Sequence, residues 1–269
     1  MIQDLMEHPD FDKYDTSSLK KLGGGGAPTP VSQVKKVSQK FKGGGAAGNG
    51  YGLTETNGGV CSIGGDAYKQ RPTSCGQPLP LVEVCVVDIE GPNEDGTYKY
   101  IATTDTRGEL LIRGALVMKE YWNKPEKNRE ALVAVDANEG GGWFRTGDIA
   151  TLDNENYIYI VDRLKDLIIR GGENISCAEV ESSFYNHPHV LECAAFGMKD
   201  SRLGERVGIC IVLKKGSPST VTKQEFIKHA GQTMAKFKIP EARDIFVRTK
   251  IGLKSQYIEP YCKTCTHYW

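Results

Sequence analysis

The spacing of hydrophobic and polar positions changes character along the chain, and each change predicts a different kind of structure. Residues 1–60 read as alternating α/β structure. Thr29-Pro30 predicts a helix start, with Thr as N-cap and Pro in the first turn. Val31, Val34, Val37 or Ser38, and Phe41 then fall on one face. Gly43 to Gly45 stops that helix, and the run GNGYGLTETNGG (48–59) reads as loop and short strand. From about 65 to 160 the pattern becomes short strands with turn punctuation. LVEVCVVD (81–88) alternates with period two, and GELLIRG (108–114) is a brief apolar strand between glycines. IATLDNENYIYIVDR (149–163) is two strands joined at Asp153–Asn156, a hairpin signal. MKEYWNKPEKNREAL (118–132) is a helical and looped excursion from this β-rich stretch.

Beyond about residue 166 the rhythm shifts again. DLIIRGGENIS is a strand ending in a Gly-Gly turn, and Ser176-x-x-Glu179 is a capping box opening a helix through Val180 and Phe184. LECAAFGM and RVGICIVLKKG are strands. Thr222-x-x-Glu225 caps a second helix, expected to carry Phe226, Met234 and Phe237. Strand, helix, strand, strand, helix predicts a small α+β domain of about 100 residues. The boundary is expected between Arg163 and Asp166, with no internal repeat and no low-complexity tract.

Composition narrows the function classes. The chain has 269 residues with 34 basic and 34 acidic side chains, so no net charge argues for a nucleic-acid partner. No apolar run reaches the roughly 18 residues of a membrane span. The acidic start MIQDLMEHPDFDKYD reads as neither a signal peptide nor an import sequence, which makes a cytoplasmic location the expectation. Peroxisomal or mitochondrial forms of a longer parent stay open. Eight scattered cysteines, several in apolar runs, read as reduced buried thiols. Cys262-Lys-Thr-Cys265-Thr-His267 has no second ligand pair and is not taken as a metal site. Thirty-one glycines, clustered at 23–26, 43–52, 58–65, 140–142 and 171–172, suggest backbone closing on a nucleotide. Gly43–Gly48 matches G-x-G-x-x-G, but a helical segment precedes it and no helix follows, so a dinucleotide fold is rejected.

Five other segments occur in a recognisable order. They are Gly24-Gly25-Gly26-Ala27-Pro28, Gly50-Tyr51-Gly52-Leu53-Thr54-Glu55-Thr56 and Gly142-Trp143-Phe144-Arg145-Thr146-Gly147-Asp148. Asp162-Arg163-Leu164-Lys165-Asp166 follows, running into Ile169-Arg170-Gly171-Gly172-Glu173-Asn174-Ile175, and then Lys236-Phe237-Lys238-Ile239-Pro240. Over about residues 15 to 245 the chain resembles the adenylate-forming superfamily of acyl-CoA synthetases, firefly-type luciferases and peptide-synthetase adenylation domains. Within it, the chain looks most like the fatty-acyl, medium-chain and aryl CoA ligases.

The resemblance implies the C-terminal part of a large AMP-binding domain (1–165, with a β-rich, distorted-barrel subdomain at about 65–160). A small mobile α+β domain (166–247) and a divergent tail (248–269) follow. It also implies a carboxylic acid, ATP and coenzyme A as substrates, Mg²⁺ as the metal, and a reaction through an acyl adenylate. Gly25, Gly26 and Ala27 belong to a nucleotide-site turn. Gly50, Tyr51, Gly52 and Leu53 let an aromatic ring lie on adenine while bare backbone closes in. Thr54 can donate to an α-phosphate oxygen, and Glu55 is a hard oxygen ligand for Mg²⁺. Asp148 offers two oxygens to the ribose hydroxyls, and Arg163 contacts the ribose side. Asp166 is the hinge on which the small domain turns, and Gly171, Gly172 and Glu173 face the site in thioester formation.

Two departures qualify the expectation. The family's P-K-G phosphate loop is not found in these residues. After Val247 the sequence RTKIGLKSQYIEPYCKTCTHYW lacks the P-x-T-x-x-G-K context of the family's lysine, and neither Lys250 nor Lys254 inherits that role. A truncated chain that adenylates poorly by itself is therefore expected, with a non-catalytic adenylate-binding or regulatory remnant as the alternative.

Overall fold

A computed structural model describes residues 2–25, 31–41, 46–101, 103–135, 142–218 and 221–248. The chain forms two compact units, Met1–Ile160 and Val161–Trp269.

The first unit opens with α1 (Ile2–Glu7), β1 (Lys21–Gly23), α2 (Val31–Lys40), β2 (Ala46–Leu53), β3 (Gly58–Gly64), α3 (Gly65–Gln70) and β4 (Gln77–Pro78). The strands make a four-stranded sheet in the order β1-β2-β3-β4, with β1 parallel to β2 and the other pairs antiparallel. Val34 and Val37 of α2, and Phe41 just after it, recur at helical spacing. They pack with Met6, Phe11, Ala47, Ile63 and Tyr68 into one apolar cluster. The expected cap at Thr29-Pro30 and the stop at Gly43–Gly45 lie outside the described residues.

A second sheet follows, built from β5 (Val82–Pro92), β6 (Tyr98–Tyr100), β7 (Gly108–Gly114), α4 (Pro125–Ala131), β8 (Leu132–Val133), β9 (Trp143–Leu152) and β10 (Ile158–Arg163). Its order is β10-β9-β7-β5-β6, with β8 added to β9. The sheet curls into the distorted half-barrel expected for this region. Leu110, Leu111 and Ile112 of β7 are fully buried. Leu110 and Ile112 join Val82, Val86, Ala150 and Ile158, while Leu111 joins Cys85, Val87, Tyr98 and Trp143. A central strand with apolar contacts on both faces has no polar face to alternate with, which explains the unbroken apolar run at 110–112.

The second unit contains β11 (Ile168–Arg170), β12 (Glu173–Ile175), α5 (Cys177–Tyr185), β13 (Val190–Asp200), β14 (Gly204–Leu213), α6 (Lys223–Ala230) and β15 (Ile245–Arg248). The sheet order is β12-β11-β14-β13, and β15 pairs with β14 in parallel. Both predicted caps form: Ser176 Oγ accepts from Glu179 N at 3.1 Å, and Thr222 Oγ1 from Glu225 N at 3.3 Å. The helices pack Val180, Phe184, Phe226 and Ala230 onto Ile175, Ile209, Ile211 and Ile245 of the sheet. One expectation is corrected. The second helix ends at Ala230, before Gly231, so Met234 is buried by the following turn while Phe237 lies in a 3-10 turn and is 38% exposed. Among the described residues, no helix is long and apolar enough to cross a membrane.

His187, after α5, is 8% exposed, with its ring 4.8 Å from Phe226, 5.0 Å from His229 and 5.6 Å from His189. Burial, then His229 and His189, lower its pKa from 6.5; Lys214 acts in the same sense and Glu225 opposes. A His held neutral in the fold binds its proton more readily when unfolded. Its contribution to stability is therefore complete above about pH 6.5 and is lost as pH falls below that value. The urea midpoint should drop between about pH 7.5 and pH 5.5, and His187→Gln should flatten that drop. An equally steep drop in the variant would remove His187 as its cause.

Candidate active site

The glycine-rich run expected to be loop and short strand is strand through Leu53, with a slip in its pairing with β3 at Tyr51 and Gly52. The β2 backbone comes so close to β3 that a Cβ on Gly52 would sit 2.0 Å from the Gly58 carbonyl oxygen, so only glycine fits. The strand ends in a 3-10 turn, Thr54–Thr56, closed by the buried Thr56 hydroxyl. That oxygen accepts from Leu53 N at 3.0 Å and lies 2.9 Å from the Gly58 carbonyl. The turn leaves Thr54 exposed and Glu55 half-buried. Alongside β1, β2 and β3 runs a cleft of about 1070 Å³, lined among others by Gly23, Gly25, Gly50, Tyr51, Leu53 and Thr54. That is at the upper end of the volume range of small-molecule sites. Gly48 and Gly52 also border it, whereas Gly26 and Ala27 lie outside the described residues.

Tyr51 reaches Asp148, its hydroxyl donating to Asp148 Oδ2 at 2.6 Å. Burial first, then the Asp148 charge, raise the Tyr51 pKa, so the phenol stays a donor. Asp148 is 4% exposed, and the stretch of β9 before it, where the pairing with β7 slips, is fixed from several sides. Gly147 takes φ +71°, a left-handed conformation that glycine adopts without strain. Thr146 Oγ1 accepts from Asp148 N at 3.0 Å and donates to the Leu110 carbonyl at 2.7 Å. Glu109, 1% exposed, accepts from Gly147 N at 3.2 Å and from Arg145 Nε and Nη2 at 3.0 and 2.7 Å. Burial works against the Arg145 charge, yet the Glu109 carboxylate outweighs it and raises the guanidinium pKa. Sequence reasoning assigned no role to Glu109 or Arg145. The available signal was an acidic residue inside the apolar strand GELLIRG, with an arginine in the facing WFRTGD.

Glu55 is held differently. Its carbonyl accepts from Met118 N at 2.7 Å, and its Oε1 accepts from the Tyr121 hydroxyl at 2.8 Å. Tyr121 was also not anticipated. Among the described residues no three His, Cys, Asp or Glu side chains gather as a metal cage. A single carboxylate beside an exposed hydroxyl suits Mg²⁺, which keeps waters and takes further ligands from substrate phosphates.

The remaining predicted residues belong to the second unit. Arg163 is exposed, and its N–H donates to Asp162 Oδ1 at 2.7 Å. Asp166 ends a 3-10 turn, and its carbonyl accepts from the Cys177 thiol at 2.9 Å. Gly171 and Gly172 form a two-residue hairpin turn between β11 and β12, with φ +61° and +88°. Glu173 follows, exposed. Arg170 Nη1 donates to the Phe237 carbonyl at 2.9 Å, and Lys238 Nζ lies 2.6 and 2.8 Å from the two Glu179 carboxylate oxygens. These contacts fasten the KFKIP segment to β11 and α5.

A half-barrel preceded by a glycine-rich sheet and followed by a small α+β unit is the architecture of adenylate-forming enzymes. Residues 1–122 match the AMP-binding enzyme family, and residues 179–252 match the AMP-binding enzyme C-terminal domain. A mitochondrial medium-chain acyl-CoA ligase (ACSF2) of Macaca fascicularis is 36% identical over 241 residues, 89% of this chain and 36% of that protein. A long-chain-fatty-acid–CoA ligase of Bacillus subtilis is 36% identical over 251 residues, 92% of this chain and 41% of that protein. The structure of the o-succinylbenzoate coenzyme A synthetase MenE of Bacillus subtilis, in complex with ATP and magnesium ion, superposes with a TM-score of 0.74. It is 30% identical and covers 93% of this chain and 46% of its own. The chain belongs to the adenylate-forming superfamily of AMP-binding enzymes, with acyl-CoA ligases as its relatives. It spans less than half the length of each of these relatives.

Removing the Glu109 carboxylate strands a partly buried guanidinium, so Glu109→Ala should cost about 3 to 5 kcal/mol in urea unfolding. A loss below about 1 kcal/mol would show that the pair does not hold this stretch of β9. Gly52→Ala should also destabilise, since its Cβ meets backbone oxygen rather than a movable side chain.

Proposed function

We propose that this chain carries the AMP-binding part of an ATP-dependent carboxylic acid–CoA ligase, with a fatty acid as the acid. The observation that carries the proposal is the buried Asp148 carboxylate, held in a braced stretch of β9 and met by Tyr51 beside a glycine-lined cleft. In the first half-reaction an acid carboxylate oxygen attacks the α-phosphorus of ATP. The bond to the β-phosphate bridging oxygen breaks and pyrophosphate leaves. Asp148 exchanges the Tyr51 hydroxyl for the ribose hydroxyls, which present two donors to its two oxygens. The Tyr51 ring then lies against adenine, across backbone kept bare by Gly50 and Gly52. Thr54 donates to the α-phosphate oxygen on which charge grows. Glu55 holds Mg²⁺, which when bound shares that charge.

Carried over from the family, residues 1–165 serve the first half-reaction and residues 166–247 swing about Asp166 for the second. There the coenzyme A thiolate attacks the acyl carbonyl and AMP leaves, with Gly171, Gly172 and Glu173 facing the site. Arg163 takes the ribose side, and Gly25, Gly26 and Ala27 border the nucleotide.

ATP–pyrophosphate exchange against a panel of fatty and aryl acids tests the proposal. Exchange should require an acid and fall about a hundredfold in Asp148→Ala, the loss expected for hydrogen bonds to a charged group. It should be slow, since no P-x-T-x-x-G-K string follows Val247. AMP binding by calorimetry without any exchange would favour a non-catalytic adenylate-binding module. Neither binding nor exchange would sink both readings.

A further inference from the structure

The loop between β7 and α4 is tied to the Thr54–Thr56 turn at three points. Asn57 Nδ2 donates to the Leu116 carbonyl at 2.9 Å. Met118 N donates to the Glu55 carbonyl at 2.7 Å, and the Tyr121 hydroxyl donates to Glu55 Oε1 at 2.8 Å. The loop is itself anchored from the far side. Asn128 of α4 accepts from Tyr121 N at 2.7 Å and donates to the Tyr121 carbonyl at 3.1 Å. One end of this brace is a helix and the other is a single carboxylate oxygen.

We infer that Tyr121 is a positioning residue for Glu55, whose hydroxyl occupies Oε1 and so turns Oε2 toward a divalent cation. This rests on the assignment of Glu55 as the Mg²⁺ ligand. A free glutamate side chain has several rotatable bonds, whereas Mg²⁺ demands near-ideal octahedral ligand placement. A lone carboxylate ligand therefore gains most from being held in one orientation before the metal arrives. A phenol suits the task better than an ammonium or guanidinium group, since it donates without adding a positive charge that would repel the cation. Partners one shell out from a metal are worth 10- to 100-fold in metal affinity in other systems.

The test measures ATP binding to the full chain by equilibrium dialysis as Mg²⁺ is varied, for wild type, Tyr121→Phe, Glu55→Gln and the double variant. Tyr121→Phe should raise the half-saturating Mg²⁺ about tenfold. It should leave metal-free ATP binding and the melting temperature nearly unchanged, which separates positioning from a merely structural role. In the double variant the Tyr121 change should have no further effect, and Asn128→Ala should reproduce part of the shift. An unchanged Mg²⁺ requirement in Tyr121→Phe, beside a raised one in Glu55→Gln, overturns the inference and leaves the metal assignment standing. An unchanged requirement in both overturns the metal assignment and the inference with it, as does a wild type that binds no ATP. A readout without nucleotide is the Tyr121 phenol, followed by NMR of ring-labelled tyrosine. The ring signals should shift in Glu55→Gln, and ring signals that do not change would show that the contact itself is absent.

Discussion

A carboxylate in the middle of an apolar strand must be matched, and the way Glu109 is matched shapes everything around Asp148. Glu109 is buried beside Leu110, Leu111 and Ile112, where an unpaired charge would outweigh what those side chains contribute. Arg145 and the Gly147 N–H supply its donors, and both lie in the irregular stretch of β9 that leads to Asp148. This stretch of β9 is therefore held by the Glu109 carboxylate and by the Thr146 hydroxyl. A buried Asp148 carboxylate fixed in place is the consequence.

A second constraint acts at the sheet, where β2 and β3 approach too closely for any side chain at Gly52. Close approach and bare backbone go together here, so part of the cleft lining is glycine backbone. The two constraints meet at Tyr51, which leaves the glycine strand and ends on Asp148.

Local signals made the second unit legible in the sequence. Ser176 and Thr222 each bond a backbone amide three residues on, a rule that needs no tertiary knowledge. The same logic overextended α6 to Phe237, because hydrophobic spacing continues past Gly231 although the helix does not. At 48–53 the residues alone do not divide loop from strand, because strand propensity is a statement about side chains, and there pairing with both neighbours decides the conformation. Tyr51, Thr54, Glu55 and Asp148 were visible only through family resemblance. Glu109, Arg145 and Tyr121 were not visible, because each acts through a partner set by cross-strand register or by the path of a loop.

The placement of β14 has a bearing on how the second unit assembles. It pairs along its length with β13, the strand just before it in the chain. Its opposite edge is divided between two distant segments: β11 bonds at Gly204, and β15 lies alongside Ile209 to Val212. The first pairing closes only a short loop, whereas the parallel one closes the whole stretch that includes α6. Chain entropy thus favours a β13–β14 hairpin as the early template. The last strand then arrives as a seal, fixing α6 and the segment at 236–240 only once the rest of the sheet is in place.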